Sequence, residues 1–227
     1  MVSTESNGKI KMIGIIDYGM GNLRSVAKAL ELLGADVTVT ADLSELSTAE
    51  KLVLPGVGAF GDGMKNLHSL GLVDFLGTEV LTNKKPLIGI CLGMQLLAKE
   101  GFERGHHTGL GWIDASVRKF DFSGHHGGNA NQVLKVPHVG WNDVKFTDGE
   151  QNLNSIFNGL KDGVSFYFVH SYHMICQDKS DVAAICNYGY DFTAAVHRDN
   201  IFGTQFHPEK SQDAGLKVLE NYINLKI

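Results

Sequence analysis

Of the three cysteines in this 227-residue chain, one sits where it could act as a nucleophile. Cys91 is the centre of Gly89-Ile90-Cys91-Leu92-Gly93, between an apolar run that reads as a strand and a periodic segment that reads as a helix. A nucleophile on a sharp strand-to-helix turn has close neighbours on both sides. Flanking glycines remove the side chains that would collide there, and the turn holds the reactive atom proud of the sheet. The positive end of the following helix favours the thiolate. With glycine at about 7% of residues and three cysteines available, Gly-x-Cys-x-Gly arises by chance in roughly one chain in seventy. The competing reading is a packed cysteine in a glycine-rich turn. Cys176 and Cys186 lack such glycines and read as packing or surface thiols.

A thiolate needs a base and a group to orient that base. His207-Pro208-Glu209 offers both, just after an apolar run at 201–205. Residues two apart on an extended segment point the same way. With Pro208 holding the segment extended, Glu209 can fix the tautomer of His207. A surface histidine and glutamate unrelated to Cys91 is the alternative. An oxyanion needs donors, and Leu54-Pro55-Gly56-Val57-Gly58 leaves a strand with two glycines able to present backbone N–H groups. An ordinary loop reads the same way.

The elements that must hold these groups follow from periodicity. Residues 13–16 read as a buried strand, and 37–39, 52–54 and 87–90 as the strands that follow. Asn22 can cap a helix whose apolar face is Leu23, Val26, Ala27, Leu30 and Leu33, with Gly34 ending it, and a second helix is expected over 92–100. This rhythm implies parallel strands with right-handed crossovers, and function at their carboxyl ends. Later runs at 115–120, 133–136, 144–146, 166–170, 182–186, 193–197 and 201–205 read as strands with little helix between them, which suggests an antiparallel extension or a second small sheet, before a closing helix at 211–225. The fold class expected is α/β: a flavodoxin-like, open, mostly parallel central sheet flanked by helices, with a small additional antiparallel sheet in the second half. Residues 1–9 read as a mobile polar tail and 10–227 as one domain. Residues 121–131, rich in Gly, His and Asn, read as a surface loop.

Composition narrows the classes. A net charge of −5 spread along the chain gives no electrostatic footprint for nucleic acid or an anionic membrane. No apolar run approaches transmembrane length and the start lacks a signal peptide's apolar stretch. An odd, widely spaced cysteine set points to a reducing cytoplasm. His106-His107 and His125-His126 lack zinc-type spacing and read as solvated loops. Trp112 and most of the run Phe166-Tyr167-Phe168 read as core, and His138 as either packing or interface.

The motifs taken together resemble a family. Gly89 to Gly93, the Pro55 to Gly58 loop and Phe206-His207-Pro208-Glu209 are similar to the three signatures of the class I, triad-type glutamine amidotransferases. More specifically, Asp17-Tyr18-Gly19-Met20-Gly21-Asn22-Leu23, Pro137-His138-Val139-Gly140-Trp141-Asn142 and Phe168-Val169-His170-Ser171-Tyr172 resemble the glutaminase subunits of imidazole glycerol phosphate synthases of histidine biosynthesis. All six motifs keep their order from about residue 10 onward. The resemblance implies Cys91 as nucleophile, His207 as general base and acid, and Glu209 as its orienting carboxylate. It implies the Leu92 N–H and that of Gly58 or Val57 as oxyanion donors. It aligns Gly56, Gln95, His170, Ser171 and Tyr172 with positions that hold glutamine, and Tyr18, Asn22, Trp141 and Tyr167 with positions facing a partner. That partner is expected to be a separate (β/α)₈-barrel synthase subunit that uses the released ammonia, and neither metal nor organic cofactor is expected. Three other readings stand beside it. A paralogous glutaminase would feed a sugar amidotransferase of acetamidino-sugar synthesis, a stand-alone hydrolase would cleave γ-glutamyl compounds, and a dead regulatory subunit would do neither. The filled triad positions argue against the last.

Overall fold

The computed structural model describes residues 12–123, 134–147 and 156–226. The expected polar tail and most of the 121–131 loop, with His125 and His126, lie outside them.

Five strands form the parallel half of a nine-stranded sheet: β1 (Met12–Ile16), β2 (Asp36–Thr40), β3 (Lys51–Gly56), β4 (Leu87–Cys91) and β13 (Ile201–Thr204). Their spatial order is β2-β1-β3-β4-β13, with parallel register throughout. This is the doubly wound order in which ligands bind beyond the carboxyl ends of the strands. β1, β3 and β4 read as near-continuous apolar runs because both sheet faces are covered. Ile13, Ile15, Val53, Ile88 and Ile90 share one core with α1 (Leu23–Leu32) and α6 (Gln212–Asn224). Leu52, Leu54 and Leu87 share the other with α2 (Leu43–Thr48), α3 (Phe60–Ser69), α4 (Leu72–Leu76) and α5 (Leu92–Leu96).

The other half of the sheet is antiparallel. From β13 it continues through β12 (Tyr190–Arg198), β11 (Val182–Tyr188), β8 (His138–Phe146) and β9 (Val164–His170). β13 therefore pairs in parallel with β4 on one side and antiparallel with β12 on the other. A second sheet has the order β10-β7-β5-β6, from β10 (Tyr172–Cys176), β7 (Ile113–Lys119), β5 (Ala98–Gly101) and β6 (His107–Thr108). Its β5–β7 pair is parallel and the others antiparallel. The second-half strands are thus divided between an antiparallel extension and a second sheet. Only Ser171 separates β9 of one sheet from β10 of the other.

Several local expectations are corrected. The helix after Cys91 ends at Leu96, and Ala98 already belongs to β5. Residues 134–136 are not strand, and β8 starts at His138. Asn22 occupies the N-cap position of α1, but its side chain makes no capping hydrogen bond; its carbonyl accepts from Ser25 N (3.2 Å). The closing helix is pinned at its end. Tyr222 Oη donates to the carbonyls of Leu52 (2.6 Å) and Pro86 (3.0 Å), while Lys51 Nζ donates to those of Ile223 and Leu225. The structure also has α2, α3 and α4 where the sequence reading places no helix.

Candidate active site

The turn at Cys91 is built by exclusion. Cys91 itself has φ +55° and ψ −108°, a backbone region costing about 1–3 kcal/mol for a residue with a side chain. A Cβ at Gly89 would lie 2.7 Å from the Gly93 carbonyl, and one at Gly93 would lie 1.7 Å from the Leu54 carbonyl oxygen. β4 and α5 can meet this sharply because neither position carries a side chain. Register then brings the neighbouring loop alongside, since Gly56 of β3 pairs with Cys91.

His207 reaches the same place from β13. Its N–H donates to the Tyr167 carbonyl (3.0 Å) and its own carbonyl accepts from Ser211 Oγ (2.7 Å), while Ser211 Oγ accepts from Tyr167 N (3.0 Å). This closed circuit fixes the backbone on which the imidazole hangs. His207 Nδ1 lies 2.8 Å from Glu209 Oε1, both side chains being 3% exposed or less. The route differs from the extended one expected. Pro208–Lys210 form a single 3₁₀ turn, because the fixed φ of proline suits the first position of a helical turn as well as an extended one. Burial lowers the His207 pKa, but the nearby Cys91 and the hydrogen-bonded Glu209 outweigh it, and the net value rises to about 9. His207 Nε2, the nitrogen turned away from Glu209, has no hydrogen-bond partner among the described residues.

Cys91 and Leu92 form the floor of a cavity of about 320 Å³. Val57 and Gly58 make one wall, and His170, Ser171 and Tyr172 another. The structure brings these together as expected, with Gln95 also lining the space. Two roles differ. His170 contributes to the wall but has both ring nitrogens occupied: Nδ1–H donates to the Tyr172 carbonyl (2.8 Å) and Nε2 lies 3.0 Å from His138 Nδ1. Burial, aided by the neighbouring imidazoles, drives its pKa down to about 3, so it is a neutral prop. Gly56 does not line the cavity. It packs beneath it, where an added Cβ would lie 2.3 Å from Tyr18 Oη and 2.9 Å from Gly93 N.

Two functional candidates escape the sequence reading. Gln205 Nε2 lies 3.7 Å from Cys91 Sγ, and Gln205 Oε1 accepts from Gln95 Nε2 (2.9 Å), which also donates to the Tyr172 carbonyl. The signal for Gln205 was its place two residues before His207, a buried amide on the same face of the chain. Glu103 lines the cavity, and its Oε2 accepts from Phe60 N (2.9 Å). Nothing in its surroundings in the sequence marks it.

Of the residues expected toward a partner, Asn22 is exposed and Trp141 is 45% exposed, its ring 6.1 Å from that of the half-buried Tyr167. Tyr18 is a correction. It is 1% exposed and its hydroxyl has no hydrogen-bond partner among the described residues. His106 pairs with Glu100 (2.8 Å), and the His107 ring covers Gly61. Trp112 is buried. His138 packs inside, its Nε2 lying 2.7 Å from Asn142 Oδ1. Burial raises the thiol pKa of Cys176 to about 11 and of Cys186 to about 12, which leaves both inert. No group of three or more potential ligands converges as a metal site among the described residues.

An elbow cysteine that lines a small cavity and lies in electrostatic reach of a buried His–Glu pair defines a class, and comparison agrees with it. The glutamine amidotransferase class-I model matches residues 14–224, and the chain belongs to that family. Within it, the chain is 47% identical over 212 residues to imidazole glycerol phosphate synthase subunit HisH 2 of Methanococcus maripaludis, covering 93% of this chain and 98% of that one. It is 46% identical over 214 residues to subunit HisH 1 of Campylobacter jejuni, covering 94% and 100%. Subunit HisH of Syntrophotalea carbinolica is 50% identical over 211 residues, covering 93% and 98%. Among solved structures, a putative GMP synthase component from Thermoplasma acidophilum superposes with a TM-score of 0.68 at 22% identity, covering 95% and 94%. PurLQS of Thermotoga maritima gives 0.67 at 19% identity, covering 95% and 98%. These two share the fold.

Proposed function

We propose that this chain is the glutaminase subunit of an imidazole glycerol phosphate synthase, hydrolysing glutamine to glutamate and passing ammonia to its synthase subunit. The observation that carries the reading is the strained Cys91 on the cavity floor, in electrostatic contact with the buried His207–Glu209 pair. The Cys91 thiolate attacks the side-chain amide carbon of glutamine. The Leu92 N–H, together with that of Val57 or Gly58, stabilises the oxyanion, each donor contributing about 3 kcal/mol in comparable sites. His207 gives a proton to the departing nitrogen, ammonia leaves, and a glutamyl thioester remains. Water then adds to the thioester carbon while His207 takes its proton, and glutamate departs as the thiolate re-forms. Gln95, Ser171 and Tyr172 hold the substrate, with the Glu103 carboxylate placed to take its α-ammonium group.

Hydrolysis without an acceptor wastes glutamine. The Pro55 to Gly58 loop is therefore read as a gate that adopts donor geometry only when the partner holds its ribulosyl-formimino nucleotide. Glycines allow such a peptide flip at low cost. The partner is a (β/α)₈ barrel met by the face around Asn22, Trp141 and Tyr167, and the pair works in the cytoplasm as a glutaminase unit running from residue 10 onward. Among the described residues no helix is long and apolar enough to cross a membrane. The test is glutamine turnover by the chain alone, with partner, and with partner plus nucleotide. Equal rates would remove the gate. Cys91→Ala abolishes glutamine-dependent synthesis while the complex still uses free ammonium.

A second reading keeps the chemistry and changes the acceptor to a sugar amidotransferase. Co-purification of the native partner separates the two.

A further inference from the structure

Tyr18 is buried beside the site and has no part in the chemistry above. Its backbone is tied by Asn66 Nδ2, which donates to the Tyr18 carbonyl (3.0 Å), and the residue is 1% exposed. Its hydroxyl is a buried donor without an acceptor among the described residues, and native structures rarely leave such a group unexplained. The hydroxyl lies against Gly56, so close that an added Cβ there would meet it at 2.3 Å. Gly56 pairs with Cys91 in the sheet and is followed directly by the cavity-lining Val57.

A peptide plane is rigid, and its N–H and C=O point in opposite directions. Turning the Val57 N–H into the cavity as an oxyanion donor must turn the Gly56 carbonyl the other way, into packed protein, where it needs a donor of its own. We propose that the Tyr18 hydroxyl is that donor: a positioning residue that receives the Gly56 carbonyl when the Gly56–Val57 peptide flips, and so stabilises the active form of the loop. The inference rests on the gated-glutaminase reading above. Burial, and then the nearby Cys91, push the phenol pKa well above its ordinary value, so the group stays a neutral O–H. The Tyr18 hydroxyl makes no hydrogen bond to the described residues in this structure; a bond that forms on the flip makes Tyr18 an element of the switch.

The experiment compares wild type and Tyr18→Phe, each in complex with the synthase subunit, with and without the ribulosyl-formimino nucleotide. Expected for Tyr18→Phe is a nucleotide-stimulated glutaminase kcat lowered about tenfold, the scale of one lost hydrogen bond, with the KM for glutamine within about twofold of wild type. Ammonium-driven synthesis by the same complex keeps its rate. Thermal unfolding is not lowered, because the change removes an unpaired hydroxyl. Alkylation of Cys91 by iodoacetamide keeps its pH profile, and replacing Tyr18 by para-aminophenylalanine, which restores a donor, recovers part of the stimulation. An unchanged stimulated kcat would overturn the proposal. So would a shifted alkylation profile, which would place the hydroxyl on the thiol, or failure of the donor analogue where phenylalanine is impaired. A wild-type complex that the nucleotide does not stimulate would remove the gate itself, and the role of Tyr18 with it.

Discussion

At the scale of single residues, four imidazoles near the cavity are pulled in opposite directions. His138, His170 and His173 are buried and their pKa values fall below the ordinary 6.5, the last two to about 3 and 4. Below pH 6.5 the unfolded chain binds protons that these folded histidines refuse, so their contribution to stability is lost as pH falls from 6.5 toward 4. Each such proton changes stability by about 1.4 kcal/mol per pH unit. His207 has the reverse sign. Raised to about 9, it contributes stability that is complete below pH 6.5 and is lost as pH climbs through 9. Urea midpoints taken from pH 4 to 10 should therefore show two limbs. His170→Asn should flatten the acid limb and His207→Gln the alkaline one; a variant that moves both alike would contradict the assignment. These signs were not legible in the sequence, which shows histidines but not what is packed over them. Tyr18 is the same lesson, since the motif marked its importance and only its burial marks its direction.

At the scale of elements, the turn around Cys91 was legible because its constraint is local. Two glycines flanking one cysteine state that two backbones approach closely there. Gly93→Ala should cost at least about 3 kcal/mol, because the methyl would meet the backbone oxygen of Leu54 rather than a side chain that can move; thermal unfolding and loss of soluble expression read this. The same kind of contact hid α3. Gly61 and Gly63 lower helix propensity yet are needed where the His107 ring and Leu96 press against the helix. β5 was hidden by composition. Ala98-Lys99-Glu100-Gly101 shows no strand pattern, and only pairing with β6 and β7 makes it one, which is also why the preceding helix stops short. The anchoring of α6 on the start of β3 and on Pro86, just before β4, gives a sharper test. Tyr222→Phe strips a donor from two buried carbonyls and should cost about 1–3 kcal/mol, measured by denaturant unfolding, with the cavity residues unmoved.

At the scale of the molecule, the exposed apolar side chains Val139 and Trp141 stand on β8, with Tyr167 beside them on β9. The motif Pro137 to Asn142 was legible as special, and the structure shows that its residues divide between an inward His138 and an outward Trp141. Trp141→Ala should weaken binding of the synthase subunit by tenfold or more, as for a buried aromatic anchor, while changing the stability of the isolated chain by no more than about 0.5 kcal/mol; calorimetric titration checks the first and melting the second. The parallel half of the main sheet was readable from its strand–helix rhythm. Its fusion with an antiparallel half was legible only as one of two options, an antiparallel extension or a second small sheet; which strands join which sheet was not, because long-range pairing leaves no local trace. That fusion has a consequence for how the protein comes apart. β13 is laced to β4 on one side and β12 on the other, so neither half can open without tearing a ladder of the other. Deuterium should reach the amides of β4, β12 and β13 together and last, by a single all-or-none event, and the slowest-exchanging kernel will straddle the junction of the two architectures instead of lying inside either.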